Sequence, residues 1–211
     1  MLKTVIQRAL FRGSAVYWEK RYRSDGNSGA GSYGRLARFK AEIVNNFVEA
    51  QRIKSVIEFG SGDGAQLELA NYPSYVGVDV APTIVEKTRR KFADRPNYSF
   101  YHLPELPGGT RAELALSLDV IFHLVEDRKF EAYMNRLFDS ATRAVIIYSS
   151  NRDARVETHV RHHRFTDWIE KNRSDAVFMH HIPNRYPFDP ADPHGTSFAD
   201  FYIYAVGQAV H

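Results

Sequence analysis

Short apolar runs alternate along this chain with longer stripes in which apolar residues recur three and four positions apart. The first run, Ser55-Val56-Ile57-Glu58-Phe59, predicts a buried strand over 55–59, and similar runs predict strands at 74–79, 98–101, 114–118 and 144–148. Leu36, Phe39, Ala41, Ile43 and Phe47 suit a helix packed against a sheet. Ile84, Val85, Thr88 and Phe92 share a stripe behind Pro82, whose missing N–H costs nothing at a helix start. Phe130, Tyr133, Met134, Leu137 and Phe138 follow Glu126-Asp127 at helical spacing and read as core. Alternating strands and helices predict an α/β fold, a mostly parallel sheet with helices on both faces.

Beyond the fifth strand the pattern loosens. Residues 149–164 form a polar segment containing His159, His162 and His163, and Thr166 is placed to cap a short helix through Trp168 and Ile169. Two last strands are expected at 176–182 and 201–205, joined by a long loop, Pro183 to Ser197, rich in Pro, Asp and Gly. Near the start, residues 2–11 set Leu2, Val5, Ile6, Ala9 and Leu10 on one face. This is either a helix packed on the domain or a weak membrane-surface or partner helix. Residues 24–34 are a Gly/Ser-rich loop, read as a lid or as a linker. A length of 211 residues fits a single domain, with 1–34 as N-terminal helices and lid and 35–211 as the core.

The candidate chemistry sits behind the first strand, at Glu58-Phe59-Gly60-Ser61-Gly62-Asp63-Gly64, with Ala65 to Ala70 expected to open a helix. Glycines allow tight or positive-φ turns and a close approach of ligand to backbone. Gly60, Gly62 and Ala65 satisfy the dinucleotide pattern G-x-G-x-x-G/A, while Gly60, Gly62 and Gly64 satisfy the G-x-G-x-G of S-adenosylmethionine (SAM) enzymes. The Glu58 carboxylate favours the second, since it would repel a pyrophosphate and attract an ammonium and a sulfonium.

From these residues onward the chain resembles a class I SAM-dependent methyltransferase. Glu58 to Gly64 is similar to that family's first motif. Tyr75-Val76-Gly77-Val78-Asp79 resembles its second strand, and Leu116 to Leu124 its fourth-strand motif. The likeness spans roughly residues 30–210, with motif-level specificity between 56 and 124. It implies a Rossmann-like, seven-stranded, mostly parallel sheet with a C-terminal antiparallel hairpin. It also implies SAM as cofactor, held by Gly60, Ser61, Gly62 and Gly64 against the methionine portion, by Glu58 at the ammonium and by Asp79 at the ribose diol. Val80 would flank the adenine, with His102 or Leu103 contacting it. Leu118 would offer a carbonyl, Asp119 would stand at the strand's ligand-facing end, and Tyr33 would face the methionine end as part of a lid. Trp18 and Tyr22 would lie near the acceptor.

The implied reaction is direct in-line methyl transfer to a small-molecule acceptor, by resemblance a sugar or glycan hydroxyl. His123, one helical turn beyond Asp119, is the first choice for a general base and His163 the second. Asn151 is a candidate for the mouth. Two other readings stay open: a SAM-binding regulatory or scaffold subunit without catalysis, and an NAD(P)-dependent oxidoreductase.

Composition narrows the remaining classes. The 28 basic and 25 acidic residues are interspersed, and the clusters Arg21-Tyr22-Arg23 and Arg89-Arg90-Lys91 are small, so a nucleic-acid partner is not expected. There is no cysteine, so disulfides and thiolate metal sites are excluded. His159 and His163 lack a clear third ligand, and no metal is expected. No apolar run is long enough for a membrane span and the N-terminus is a poor signal peptide; the expected location is cytoplasmic.

Overall fold

The computed structural model describes residues 13–157 and 160–207. The proposed helix at 2–11, with its membrane-surface reading, and His159 lie outside them. Seven strands form one sheet in the order β3-β2-β1-β4-β5-β9-β8. They are β1 (Val56–Phe59), β2 (Tyr75–Asp79), β3 (Tyr98–His102), β4 (Ala112–Leu118), β5 (Ala141–Ser149), β8 (Ala176–Ile182) and β9 (Asp200–Val206). β1 to β5 run parallel, β9 is antiparallel to β5, and β8 is antiparallel to β9 at the edge. The strands expected from the sequence are therefore all present, each displaced by three residues or fewer.

Two apolar layers hold the sheet. On one face Val56, Leu114, Leu116 and Ile146 pack beneath helix α2 (Gly34–Ala50), through Phe39, Val44 and Val48. On the other, Ile57, Ala115, Val145 and Ile147 meet α4 (Asp127–Asp139) and α5 (Phe165–Asn172), through Met134, Leu137, Phe138 and Ile169. α1 (Ser14–Arg23) and α3 (Pro82–Lys91) complete the described helices, and α3 starts on its proline as expected. Among the described residues no helix is long and apolar enough to cross a membrane.

Three local expectations are corrected. Ala65 to Ala70 open no α-helix, only one tight helical turn at Leu67–Leu69. Residues 60–74 must pass through three positive-φ glycines and end on Asn71-Tyr72-Pro73, so too few residues remain to extend a costly nucleus. The polar segment 149–164 contains a small antiparallel hairpin, β6 (Ala154–Glu157) and β7 (Val160–His162). α5 begins at Phe165, so Thr166 is inside it. Asn151 holds that end, its Oδ1 accepting from the Thr166 N–H at 3.3 Å and its Nδ2 donating to Thr166 Oγ1 at 2.8 Å.

Candidate cofactor and acceptor site

A cavity of about 310 Å³ opens at the C-terminal ends of β1, β2 and β4, where open α/β sheets bind ligands. Its floor is the glycine turn. The N–H groups of Gly60 and Ser61 both donate to Val78 O, at 2.7 and 3.1 Å, tying the turn to β2. Gly60 has φ 84°, and a Cβ there would run into Val120; Gly62 has φ 58°, and a Cβ there would meet Ser28 and Tyr22. Both positions therefore require glycine on backbone and packing grounds.

The roof is α1 with the strap that follows it. Ser14, Trp18 and Tyr22 line the cavity from α1, and Ser28 and Ser32 from the strap. α1 is fastened on both rims. Ser14 Oγ donates to His123 O at 2.5 Å, and Thr83 donates to Glu19 through its N–H at 3.2 Å and its Oγ1 at 2.7 Å. The strap is fastened to the turn itself. Asp63 Oδ2 accepts from the Ser28 N–H at 2.8 Å and from Tyr33 OH at 2.6 Å, and the Asp63 N–H donates to Ser28 Oγ at 2.9 Å. Burial opposes the Asp63 charge, but these hydrogen bonds outweigh it and hold the carboxyl below its ordinary range.

Three carboxylates and one deeply buried ammonium, that of Lys40, face this space, and Lys129 and Arg136 also line it. Glu58 is buried, its Oε2 accepting from Tyr75 OH at 2.7 Å. Burial pushes its pKa up to about 7, against the opposing pull of Tyr75 and Lys40. Asp79 accepts from the Gly62 N–H at 3.0 Å and the Ala81 N–H at 2.9 Å, yet burial still raises it to about 6. Asp119 follows β4 in the left-handed region, φ 61°, and its Oδ2 accepts from Lys40 Nζ at 2.6 Å. A non-glycine residue held there is strained, and such strain gathers at functional sites. Lys40 is only 1% exposed, with its ammonium 5.4 Å from the centroid of the Tyr148 ring.

The structure brings Glu58, Gly60, Ser61, Gly62, Asp79, Val80, Leu103, Leu118, Asp119 and His123 to the cavity. His123 lies on the tight turn Ile121–His123, edge-on to Trp18 with centroids 5.0 Å apart. Four other expected residues do not line it. Tyr33 is 41% exposed and spends its hydroxyl on Asp63. Gly64 faces Phe92 instead. His102 lies beside Glu105, with Nδ1 3.9 Å from Oε1. His163 is buried, stacked on Phe130 at 4.2 Å, with Nε2 2.7 Å from the carbonyl of Leu124. That geometry holds the ring against the Leu124 turn, outside the cavity.

Among the lining residues that escaped the sequence reading, two stand out for their buried polar groups. Lys40 sits on the buried stripe of α2, one turn after Leu36 and one before Val44, and a lysine on such a stripe was the available signal. Gln66 donates through Nε2 to Ala37 O at 3.0 Å, but its Oε1 is buried with no hydrogen-bond partner. A buried acceptor left unpaired is uncommon and fits a donor brought by a ligand. Among the described residues no group of three His, Cys, Asp or Glu is placed to hold a metal ion.

No protein-family model matches this chain, and no curated protein matches it in sequence. Solved structures do match. Magnesium protoporphyrin IX methyltransferase (ChlM) from Synechocystis, solved with bound SAM, aligns with TM-score 0.67 at 14% identity, over 93% of this chain and 99% of its own. The N-methyltransferase NodS from Bradyrhizobium japonicum, in complex with S-adenosylhomocysteine (SAH), gives 0.67 at 12% identity, over 93% and 100%. The methyltransferase domain of bacterial CtHen1 gives 0.61 at 18%, over 80% and 97%. The fold is that of the class I SAM-dependent methyltransferases.

Proposed function

We propose that this protein is a SAM-dependent methyltransferase acting by direct in-line displacement on a small-molecule acceptor. One observation carries the reading. A cavity rich in carboxylate and carbonyl acceptors, with a single deeply buried ammonium, stands on a glycine turn at the ends of β1 and β4. Its donor set fits a zwitterion that also carries a sulfonium. Glu58, the Leu118 carbonyl and Gln66 Oε1 would take the amino-acid ammonium, Lys40 the carboxylate, and Asp79 the ribose hydroxyls. Val80 and Leu103 would flank the adenine.

When bound, SAM would supply an electrophilic methyl carbon, activated by its positively charged sulfur, for transfer to an acceptor oxygen. The chain's own work is alignment and exclusion of water. Trp18 and Tyr22 close the site from above, and the strap locks onto Asp63. His123 lines the same space and would take the proton of an acceptor hydroxyl. A sugar or glycan hydroxyl is the acceptor suggested by family resemblance, and no residue of the mouth speaks for it.

Calorimetric titration of the full chain with SAM, SAH and NADH tests the reading. Binding of the first two alone is the expected result. Binding of NADH alone would replace it with the oxidoreductase reading, which the antiparallel β8–β9 pair already opposes. Cofactor binding without methyl transfer to any acceptor would leave a regulatory or scaffold subunit.

A further inference from the structure

We propose that an aromatic track running from the β8–β9 loop to the cavity is the acceptor's binding surface, and that it takes a planar aromatic ring bearing an acidic group. The proposal rests on the methyltransferase reading and adds the acceptor class. The rings form an unbroken series. Phe188 neighbours Phe198 at 6.2 Å, Phe198 neighbours Phe122 at 5.2 Å, Phe122 neighbours His123 at 4.6 Å, and His123 neighbours Trp18 at 5.0 Å. The series begins in solvent, with Phe188 51% and Phe198 37% exposed, and ends on two residues that line the cavity. Phe188 and Phe198 belong to none of the described core clusters. Large exposed apolar groups in a contiguous row mark binding surfaces more often than chance placement.

A cation stands beside this row. The Arg152 guanidinium lies 6.0 Å from the Phe198 centroid, and no carboxylate pairs with it among the described side chains. Its polar contact is from Nη2 to His162 Nε2, at 3.5 Å. A guanidinium can only donate, so Nε2 accepts, and Nδ1–H then donates to Ser150 Oγ at 2.5 Å. Burial, with Arg152 and His163 nearby, keeps His162 neutral by pulling its pKa down to about 4. Among the described side chains the charge of Arg152 thus has no counter-ion where a ring stacked on Phe198 would place its substituent. An aromatic acid answers both features. A neutral saccharide answers only the first, because it brings no charge to meet Arg152.

The test is titration of the SAH-loaded full chain with 4-hydroxycinnamate, its neutral amide and glucuronate, by calorimetry and saturation-transfer NMR. The acid should bind at least fivefold more tightly than the amide. Phe198→Ala should weaken it about three- to tenfold, the loss of one ring contact. Arg152→Met should erase the difference between acid and amide. Both variants should bind SAH within twofold of wild type, which also shows that they fold. The proposal is overturned if hydroxycinnamate does not bind, if glucuronate binds as tightly, or if Phe198→Ala changes nothing. Failure of wild type to bind SAH would instead overturn the methyltransferase reading; the same titration without SAH would then decide whether the track binds an aromatic acid at all.

Discussion

Glu58 should cost the protein stability at the pH where it is useful. Its carboxyl is buried and its pKa is raised from 4.5 to about 7, chiefly by loss of water. A raised folded-state pKa means that the protonated form is favoured in the native protein. The associated stability is full below pH 4.5 and lost as pH rises through about 7. Treating Glu58 as a single titrating group, the cost grows by about 2.5 kcal/mol between pH 5 and pH 8. Glu58→Gln keeps an oxygen for Tyr75 and never ionises. Urea unfolding of wild type and variant, followed by circular dichroism at both pH values, isolates the effect. The variant should be close to wild type at pH 5 and more stable by about 2–3 kcal/mol at pH 8. A stability difference that is the same at both values would refute the reasoning, because Glu58 would then not be the group that titrates. The same variant should bind SAM roughly 10- to 100-fold more weakly, having lost a charged hydrogen-bond acceptor for the ammonium. Stability gained and affinity lost in one substitution is the expected behaviour of a residue placed for a ligand.

Other outcomes follow from the same geometry. Lys40→Met should destabilise the fold by about 3 kcal/mol, because Asp119 and Glu58 lose their counter-charge, and should raise the Kd for SAM; chemical denaturation and calorimetry read the two effects. Tyr33→Phe removes the strap's bond to Asp63 and should leave global unfolding nearly unchanged while speeding amide exchange across residues 24–33 by about fivefold, roughly one hydrogen bond's worth. For a hydroxyl acceptor, His123→Gln should lower kcat by about 10²- to 10⁴-fold with SAM affinity within twofold, as single-turnover assays would show; an unchanged kcat would remove His123 as the base.

The centre of the sheet was legible in the sequence because β1, β4 and β5 are runs largely buried on both faces, as in Val56 to Phe59 and Ala144 to Ser149. Periodicity reports burial, and these stretches are deeply buried. The turn was legible because positive φ at Gly60 and Gly62 leaves few residue choices. What the sequence did not convey was the direction in which side chains point. Tyr33 sits beside the glycine loop in sequence and touches the turn, but its hydroxyl points at Asp63 and not into the cavity. His163 carries the right ring for a base, yet its stacking on Phe130 is set by a hairpin that polar composition did not announce. Lys40 was hidden for the opposite reason: it is a charge on an apolar stripe, and its partner Asp119 is 79 positions away.

If the chain transfers methyl groups as proposed, a roof pinned at Glu19 and at Ser14 would give it a clock. Under the proposed function, exchange of spent for fresh cofactor beneath α1 would wait on the joint release of these attachments. One of those pins is the backbone oxygen of His123. Loosening the roof would therefore also free the segment that carries His123, the proposed proton acceptor, so that an open site would be an unarmed one. Turnover would then be paced by the helix lifting, not by the bond change beneath it, and solvent viscosity would slow the cycle more than replacing the transferred hydrogens with deuterium.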